Sequence, residues 1–236
     1  MNTWCQLAHY SNQASSIWRG SDPTCYVLIG APGSGKTSAA RMVLSSYPGT
    51  AHYGVKRFAL KLLDMGCAEV ESMREAIEAG KTLPDHDVRR LLGIFLSGIE
   101  TASRRIIVEG YPHNEQQFFD LYELARASRI LIGGLIILNI TDEISLARTA
   151  QRLACPRCGT PSAPGVSSST CPFCSGQMQR RDDDETGRAQ RRLADYRRVQ
   201  DVLVPLFTQR AAVWKIDGIL PPAEIARAIG TVMASR

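Results

Sequence analysis

The sequence predicts an α/β fold in which helices cover both faces of a parallel β-sheet. Two observations favour this class. Short apolar segments with strand character alternate with helical segments along most of the chain, and a glycine-rich turn joins the first of these strands directly to a helix. Strands that alternate with helices are usually parallel, because each helix carries the chain back to the same end of the sheet.

Residues 25–140 contain three of the predicted strands. CYVLIG (25–30) is a short buried strand, followed by the turn GAPGSGKT and a helix that ends before Pro48. Residues 54–102 contain no convincing strand and are predicted to form several short helices. RRIIVEG (104–110) is the second strand, and the third lies within LIGGLIILNI (131–140), after a helix at about 114–129.

The carboxy-terminal half is predicted to be mainly helical. Asp142 is predicted to cap a helix that carries Leu146, Arg148 and Arg152. Beyond a segment rich in Ser, Pro and Gly, a long helix shows one apolar stripe at three- and four-residue spacing: Leu193, Tyr196, Val199, Leu203 and Leu206. The last strand is AVWKID (212–217), and a final helix opens at Pro221 and Pro222, because proline is tolerated in a first helical turn.

Composition limits the function classes. The 236 residues are 44% hydrophobic and 22% charged, which is enough apolar material for a folded core. The net charge of +5 suits an anionic ligand but is too small to indicate nucleic acid by itself. No apolar run approaches the roughly 18 residues of a membrane span. Residues 1–24 lack a secretory signal pattern and are predicted to be a poorly ordered extension.

The seven cysteines favour metal binding over disulfides. Four of them form two Cys-x-x-Cys pairs, whereas Cys5, Cys25 and Cys67 are scattered. An odd count without an export signal indicates a reducing compartment, so the expected location is cytoplasmic and the pairs are interpreted as metal ligands. Unliganded thiols or disulfides are the alternative.

The turn GAPGSGKT fits the phosphate-binding P-loop pattern G-x-x-x-x-G-K-[ST]. Its glycines let backbone N–H groups turn inward around a phosphate at the positive end of the following helix. Lys36 adds a charge for the outer phosphates, and Thr37 can reach Mg²⁺. A glycine-rich turn without a ligand is the alternative, but strand, loop and helix occur in the required order. The predicted nucleotide-binding residues of this segment are Gly30, Gly33, Ser34, Gly35, Lys36, Thr37 and Ser38.

Glu109 and four arginines are the other charged candidates. Glu109 ends the second predicted strand, where a carboxylate could hold a water on Mg²⁺ or simply cap the next turn. Arg148 and Arg152 are four residues apart on one predicted helix face, and Arg181 and Arg192 follow the cysteine segment. Such residues often form a solvated basic face, but beside a P-loop they are better interpreted as phosphate clamps.

From residue 25 to about 230 the sequence resembles the adenylate kinases, a family of nucleoside-monophosphate kinases. GAPGSGKT is similar to the family's GxPGxGKGT, VEGYPHNEQQ (108–117) to DGFPRTxxQ, and LARTAQR (146–152) to the segment with two ATP-clamping arginines. RRDDDETGRAQRRLADY (180–196) is similar to RxDD followed by RLxxY, and AGKTLPD (79–85) to the stretch that faces the acceptor adenine. The co-occurrence of these motifs in order is more specific than any one of them.

The resemblance implies a P-loop NTPase fold with about five parallel strands, a helical acceptor-binding insertion and a lid. It implies that ATP with Mg²⁺ is the phosphate donor, that the donor adenine lies near Leu220, and that Arg148, Arg152, Arg181 and Arg192 touch the phosphates. The acceptor site would contain Lys56, Arg57, Lys81, Leu83, Gly110, His113 and Gln117, together with Arg181 and Arg192. The catalytic set would be Lys36, Glu109 and the four arginines.

One branch of the family carries a cysteine-ligated zinc in its lid, and this chain resembles that branch. Cys155 and Cys158 are separated from Cys171 and Cys174 by a twelve-residue loop, which is structural-zinc spacing. A segment of about 30 residues rich in Ser, Gly and Pro cannot bury a core of its own, so one structural Zn²⁺ could provide its fold. Another thiophilic metal is the alternative.

The expected domains follow from the same resemblance. Residues 1–24 are the extension, 52–102 the acceptor-binding insertion and 154–183 the zinc lid. The core P-loop domain comprises residues 25–51, 103–153 and 184–236. The expected partners are small-molecule nucleotides, with no nucleic acid and no membrane, and the family default is a monomer.

The acceptor side departs from the family pattern. His113 stands where the family's arginine grips the acceptor phosphate, and HYGVKRFALK (52–61) replaces TGDxLR. Lys56 or Arg57 could substitute for the missing arginine. AMP is the preferred acceptor because Gln117 suits a purine, and another nucleotide or a phosphorylated metabolite is the alternative. A nucleotide sensor and a nucleic-acid-binding protein are further hypotheses, the latter disfavoured by the few basic and aromatic residues in the lid.

Overall fold

A computed structural model describes residues 22–79, 81–99, 103–157, 160–162, 169–172, 174–180, 184 and 186–234. Its main sheet has five parallel strands with helices on both sides, which confirms the predicted fold class. The spatial order is β2-β3-β1-β4-β7, and the strands are β1 (Thr24–Gly30), β2 (Thr50–Gly54), β3 (Arg105–Glu109), β4 (Leu131–Asn139) and β7 (Ala212–Asp217). The three inner strands are almost wholly apolar and buried, as expected where both faces of a sheet are covered.

The remaining elements are helices and one two-stranded pair. The helices are α1 (Lys36–Ser46), α2 (Val55–Asp64), a 3₁₀ helix (Ala68–Met73), α3 (Arg74–Glu78), α4 (Asp85–Ser97), α5 (Glu115–Ala127), α6 (Asp142–Gln151), α7 (Thr186–Thr208) and α8 (Pro222–Ala234). The pair is β5 (Leu153–Ala154) with β6 (Gln179–Arg180), and it is antiparallel. In the described residues no helix is both long and apolar enough to cross a bilayer.

The chain divides into two compact units. The first comprises Met1–Val27 and Pro48–Gly134, and the second comprises Leu28–Tyr47 and Leu135–Arg236. In the first unit the rings of Tyr53, Phe58 and Phe95 form an aromatic cluster, with ring centroids 5.1–5.7 Å apart. In the second unit α1 packs on α8, where Gly230 lies so close to the ring of Tyr47 that a Cβ there would clash at 2.0 Å.

The four predicted strands are confirmed, but the sequence did not predict β2. This strand pairs in parallel with β3, so that Thr50 lies opposite Arg105 and Gly54 opposite Glu109. TAHYG is short, and only Tyr53 is buried, so the segment lacks the apolar run that identifies an inner strand. Its place at the edge of the sheet depends on pairing with β3, which local sequence does not reveal.

Two predictions about α6 are wrong. Thr141, not Asp142, is its N-cap: the backbone of Thr141 is extended and its hydroxyl accepts a hydrogen bond from the Ile144 N–H, while Asp142 lies in the first turn. The helix also ends at Gln151, so Arg152 follows it in extended backbone and does not share a helix face with Arg148. The two arginines consequently have different partners.

The cysteines outside the paired motifs are buried where they are described. Cys25 is a free thiol in β1, and burial raises its pKa to about 12, so it is a packing residue and not a reactive nucleophile. Cys67 is likewise buried, at 2% exposure.

Candidate active site

The P-loop lies between β1 and α1 in the second unit, with the two glycines it requires in left-handed backbone. Gly33 has φ 76° and Gly35, the N-cap of α1, has φ 90°. A side chain at either position would be strained, and a Cβ on Gly33 would also lie 3.1 Å from the Cβ of Arg148. The loop therefore presents its backbone N–H groups at the positive end of α1, an arrangement that suits an anion.

The ammonium group of Lys36 is held by the loop itself. Nζ donates to the carbonyl oxygens of Gly30 at 2.6 Å and Ala31 at 3.0 Å, and to the buried hydroxyl of Ser34 at 3.3 Å. These neutral partners keep the positive charge beside the glycines. A phosphate would offer the ammonium stronger, charge-assisted hydrogen bonds than these carbonyls do.

Helix α6 is fastened to the P-loop by two side chains. The hydroxyl of Ser145 donates to the carbonyl oxygen of Pro32 at 2.7 Å. Arg148 Nη1 donates to the carbonyl of Gly33 at 3.3 Å and to that of Gly218, which follows β7, at 2.8 Å. Arg148 thus adds a second fixed cation at the loop.

Arg152 and Arg192 converge on one buried carboxylate. Arg152 Nε donates to Asp184 Oδ2 at 2.9 Å and Nη2 to Oδ1 at 2.5 Å, and Arg192 Nη1 donates to Oδ1 at 2.9 Å. The Asp184 side chain is 1% exposed, whereas those of Arg152 and Arg192 are 17% and 31% exposed. Two guanidinium groups from different segments therefore share this carboxylate through charge-assisted hydrogen bonds.

The other predicted donor-side residues lie at the ends of elements. Thr37 and Ser38 are in the first turn of α1, and Leu220 is exposed between β7 and α8. Arg181 lies outside the described residues. Thr37 lies beside the P-loop lysine, and its role in holding Mg²⁺ stays a prediction.

In the first unit a buried histidine links two predicted site residues. His52 Nε2 lies 3.0 Å from Glu109 Oε2, and His52 Nδ1 lies 2.5 Å from Arg57 Nη2. In the parallel pairing of β2 with β3, Glu109 lies opposite Gly54 at the carboxyl ends of the two strands, and His52 lies two residues before that end of β2. The sequence analysis did not single out His52, because the strand that carries it was not predicted.

Gln117, the predicted reader of the acceptor base, is buried in a polar network in this unit. Its Oε1 accepts from the backbone N–H of His113 at 2.7 Å, and its Nε2 donates to Asp85 Oδ1 at 2.7 Å. Asn114 caps α5 and donates to the other oxygen of Asp85 at 2.9 Å. Asp85 was not predicted as a site residue, since a proline-aspartate pair at a helix start usually indicates only the helix boundary.

The remaining acceptor candidates are more exposed. Lys56 and Lys81 are exposed, with Lys81 Nζ 3.4 Å from Glu75 Oε1, and Leu83 is half-buried. Gly110 follows β3 with φ 74° and has open space around it, so the constraint there is backbone conformation and not crowding.

Three of the four predicted zinc ligands meet in the second unit. The sulfurs of Cys155, Cys171 and Cys174 all lie within 4.8 Å of one another, and all three are free thiols. Cys155 Sγ is 3.4 Å from Cys174 Sγ, close to the edge of about 3.8 Å expected for a tetrahedron with zinc–sulfur bonds of about 2.3 Å. Cys158 lies outside the described residues.

The backbone around these sulfurs is shaped for a metal. Cys155 N–H donates to the Thr160 carbonyl and Cys171 N–H to the Gly176 carbonyl, both at 2.8 Å, so each half of the cluster is a tight turn. A Cβ on Gly176 would lie 3.2 Å from the Cys155 sulfur. A closed set of thiolates suits structural Zn²⁺, and the residues present therefore fit the predicted metal.

Comparison with curated proteins shows what the chain is similar to. No family model matches the chain. An adenylate kinase of Rhizorhabdus wittichii is 27% identical over 217 residues, which cover 88% of this chain and 98% of that protein. An adenylate kinase of Novosphingobium aromaticivorans is 26% identical, with 89% and 99% covered, and one of Pyrococcus furiosus is 24% identical, with 81% and 87% covered. Over most of its length this chain is thus similar to adenylate kinases.

The fold brings several of the predicted residues together. Lys36 and Arg148 share the P-loop carbonyls, Arg152 and Arg192 share Asp184, and Arg57 and Glu109 share His52. Ser145, Asp85 and His52 are contacts that the motifs did not identify. The zinc-lid type and the divergent acceptor site stay predictions.

Proposed function

We propose that this protein transfers the γ-phosphate of ATP to a nucleoside monophosphate, with AMP as the preferred acceptor and two ADP as products. Similarity to adenylate kinases supports the coarser part of the proposal, that the chain is a nucleoside-monophosphate kinase and thus a phosphotransferase. The observation that carries the rest is the P-loop itself, with Lys36 and Arg148 both fixed on its carbonyl groups.

The donor phosphates would lie along the P-loop. The N–H groups at the start of α1 would bind phosphate oxygens, and Lys36 would exchange its carbonyl partners for them. The hydroxyl of Thr37 would help to hold Mg²⁺, which when bound neutralises phosphate charge. Leu220 would contact the donor adenine.

Arg152, Arg192 and Arg181 would neutralise charge that develops during transfer. The attacking phosphate is already an anion, so this reaction requires no general base, and positioning together with electrostatic stabilisation supplies the rate. Asp184 keeps two of these guanidinium groups together before any nucleotide arrives. Such pre-organisation reduces the reorganisation needed in the transition state.

The lid would exclude water from the reaction. A zinc pinned by Cys155, Cys158, Cys171 and Cys174 would give this small segment a fixed shape. Closure of a rigid lid over ATP would prevent hydrolysis of the γ-phosphate, which is the competing reaction in any phosphotransferase.

On the acceptor side we assign the base to Gln117 and the phosphate to basic residues near Glu109. Gln117 has an amide, and an amide can both donate to and accept from the edge of a purine. Gly110, His113, Lys81 and Leu83 would line the same site. These assignments support AMP.

A second acceptor class is favoured by two features of the same site. Both ends of the Gln117 amide already have partners, the His113 N–H and Asp85, so a base would have to share the amide with them. His113 also replaces an arginine, and a neutral imidazole binds phosphate more weakly than a guanidinium does. Both features are compatible with a non-AMP nucleotide or a phosphorylated metabolite as acceptor.

A coupled assay of ADP formation from ATP decides between these acceptors. The assay compares AMP, GMP, CMP, UMP and the deoxynucleoside monophosphates at equal concentration, with and without Mg²⁺. A reaction that contains the protein and ATP but no acceptor is the control for ATP hydrolysis. We expect AMP to give the highest kcat/KM. Brisk turnover of another acceptor with none of AMP would reject AMP, and ATP binding without transfer to any acceptor would reject the kinase function. The working form is proposed to be a monomer that uses neither nucleic acid nor a membrane.

A further inference from the structure

The His52 imidazole is the least exposed member of a three-residue ionic chain in the first unit. Its side chain is 1% exposed, against 15% for that of Glu109. One ring nitrogen is 3.0 Å from the Glu109 carboxylate and the other is 2.5 Å from the Arg57 guanidinium. Each ring nitrogen of the buried imidazole therefore has a partner, a negative carboxylate for one and a positive guanidinium for the other.

The two partners fix the protonation of the ring. A guanidinium can only donate, so His52 Nδ1 must accept and carries no proton. An ionised carboxylate can only accept, so Nε2 carries the proton and donates to Glu109. His52 is a neutral bridge between a cation and an anion, and a protonated ring would lose its hydrogen bond to Arg57.

This bridge lies where the predicted acceptor phosphate would need a cation. Glu109 ends β3, His52 lies two residues before the end of the adjacent parallel strand β2, and ligands of open α/β sheets bind beyond such carboxyl ends. Glu109 leads directly into Gly110 and His113, the position at which the expected arginine is missing. Arg57 is half-buried and tied to His52, whereas its neighbour Lys56 is exposed at the start of α2.

We propose that His52 is a positioning residue that holds Arg57 as the acceptor-phosphate clamp of this chain. The inference deepens the proposed function and depends on it. A guanidinium held in place loses less conformational entropy when it binds phosphate than a free lysine does, and its fork can bind two phosphate oxygens. Glu109 orients the imidazole, so the chain compensates for histidine at position 113 with an arginine from helix α2.

The test compares two substitutions of His52 that differ in one property. His52→Asn keeps an oxygen that can accept from Arg57, whereas His52→Leu fills similar space without any acceptor. We expect His52→Leu to raise the acceptor KM by about tenfold, the loss of roughly one charged hydrogen bond. His52→Asn should stay within about threefold of wild type, and KM for ATP should change less than about twofold in both.

A double-mutant cycle tests whether His52 acts through Arg57. If it does, Arg57→Ala raises the acceptor KM, and adding His52→Leu raises it no further. His86→Gln is the control, because His86 is an exposed histidine of the same unit and should leave all constants unchanged. Melting temperatures of all variants separate a lost clamp from a damaged fold.

Each outcome bears on the proposal. Equal effects of Asn and Leu at position 52, additive effects of the His52 and Arg57 substitutions, or a change confined to KM for ATP would overturn it. Calorimetric binding of AMP and of the best acceptor in the panel separates it from the proposed function. If the wild type binds such a monophosphate without transferring phosphate, the kinase function fails, and the same variants still support or overturn the clamp through their affinities. If the wild type binds no monophosphate, both fail.

Discussion

At the scale of single residues, the cationic side chains of the candidate donor site are hydrogen-bonded to protein atoms. A nucleotide could replace these atoms as partners or bind beside them. The Lys36 ammonium is bonded to two carbonyl oxygens and a hydroxyl, all neutral. Arg148 likewise donates to two carbonyl oxygens. In contrast, Arg152 and Arg192 share a carboxylate, so their separation from Asp184 would cost more.

Lys36→Ala should lower kcat by at least about a hundredfold while the fold survives. The lysine would contribute charge stabilisation to the transferring phosphate, and removal of one such donor typically costs this much. The ammonium donates to two carbonyl oxygens and a hydroxyl of the loop, and the substitution removes these hydrogen bonds. Initial rates at saturating ATP and acceptor, together with circular dichroism, make the measurement. Lys215→Ala, at an exposed position of β7, is the matched control, and near-normal turnover of the Lys36 variant would refute the assignment.

Asp184→Ala should lower the free energy of unfolding by about 3 kcal/mol, because it leaves two partly buried guanidinium groups without their shared anion. Urea denaturation of the wild type and the variant gives the value. The control is Asp195→Ala, which removes an exposed ion pair with Arg198 and should cost less than about 1 kcal/mol. Equal losses in the two variants would mean that Asp184 is not the centre of a buried network.

At the scale of elements, the cysteine segment is organised by turns around its sulfurs and by very short strand pairs. Leu153 pairs with Arg180 and Ala154 with Gln179, and isolated bridges join Ala154 to Pro161 and Thr170 to Gln177. The apolar cluster here contains Cys155, Cys171 and Met178, with Leu153 and Cys174 packed against it. Because three of the five members of this cluster are cysteines, its apolar packing in the described residues depends largely on the candidate metal ligands.

Removal of metal should therefore unfold this segment and leave the main sheet intact. We expect about one equivalent of zinc per chain, and a chelator should increase hydrogen exchange in residues 153–180 without changing exchange in β1 or β4. Cys171→Ser should lower the zinc content, and Cys25→Ala, which changes a buried cysteine of β1, should not. Unchanged protection of the segment after complete loss of metal would contradict a structural role.

Helix α6 is an element whose position depends on a single small residue of the P-loop. Gly33 lets the Cβ of Arg148 and the carbonyl of Ser145 approach its Cα, since a Cβ there would be 3.1 and 3.2 Å from them. The close approach allows the Ser145 hydroxyl and the Arg148 guanidinium to reach the loop carbonyls. The glycine pattern thus serves helix packing as well as phosphate binding.

At the scale of the whole molecule, we expect buried and half-buried tyrosines to lower the free energy of unfolding at alkaline pH. Burial raises the pKa of Tyr196 to about 12, and it raises the pKa of Tyr53 and of Tyr111 as well. An unfolded chain releases the tyrosine proton near pH 10. Above that pH the folded state holds more protons than the unfolded state, so the free energy of unfolding falls as pH rises.

The fall should be visible between pH 10 and 12 in urea denaturation curves. Each pH unit should cost about 1.4 kcal/mol for each tyrosine whose folded pKa lies above that pH. Tyr196→Phe removes one such group and should give a shallower decline than the wild type over the same range. Parallel declines in both proteins would show that Tyr196 makes no contribution of this kind.

The sequence by itself determined the features whose causes are local. Glycines at fixed spacing identify the P-loop because few other residues adopt its backbone, and the runs at β1, β3, β4 and β7 are apolar because parallel strands are buried on both faces. The cysteine pairs identified the candidate metal site for another local reason: two ligands three residues apart can meet in one tight turn.

Only the tertiary structure decided which charged and polar side chains meet. His52 and Glu109 are 57 residues apart, Arg152 and Asp184 are 32 apart, and Gln117 and Asp85 are also 32 apart. Edge strand β2 and the end of α6 at Gln151 were likewise missed, because pairing and packing with distant segments fix them. Local sequence specifies backbone preference, whereas a buried ion pair needs two segments to be brought together, and that is a property of the folded chain.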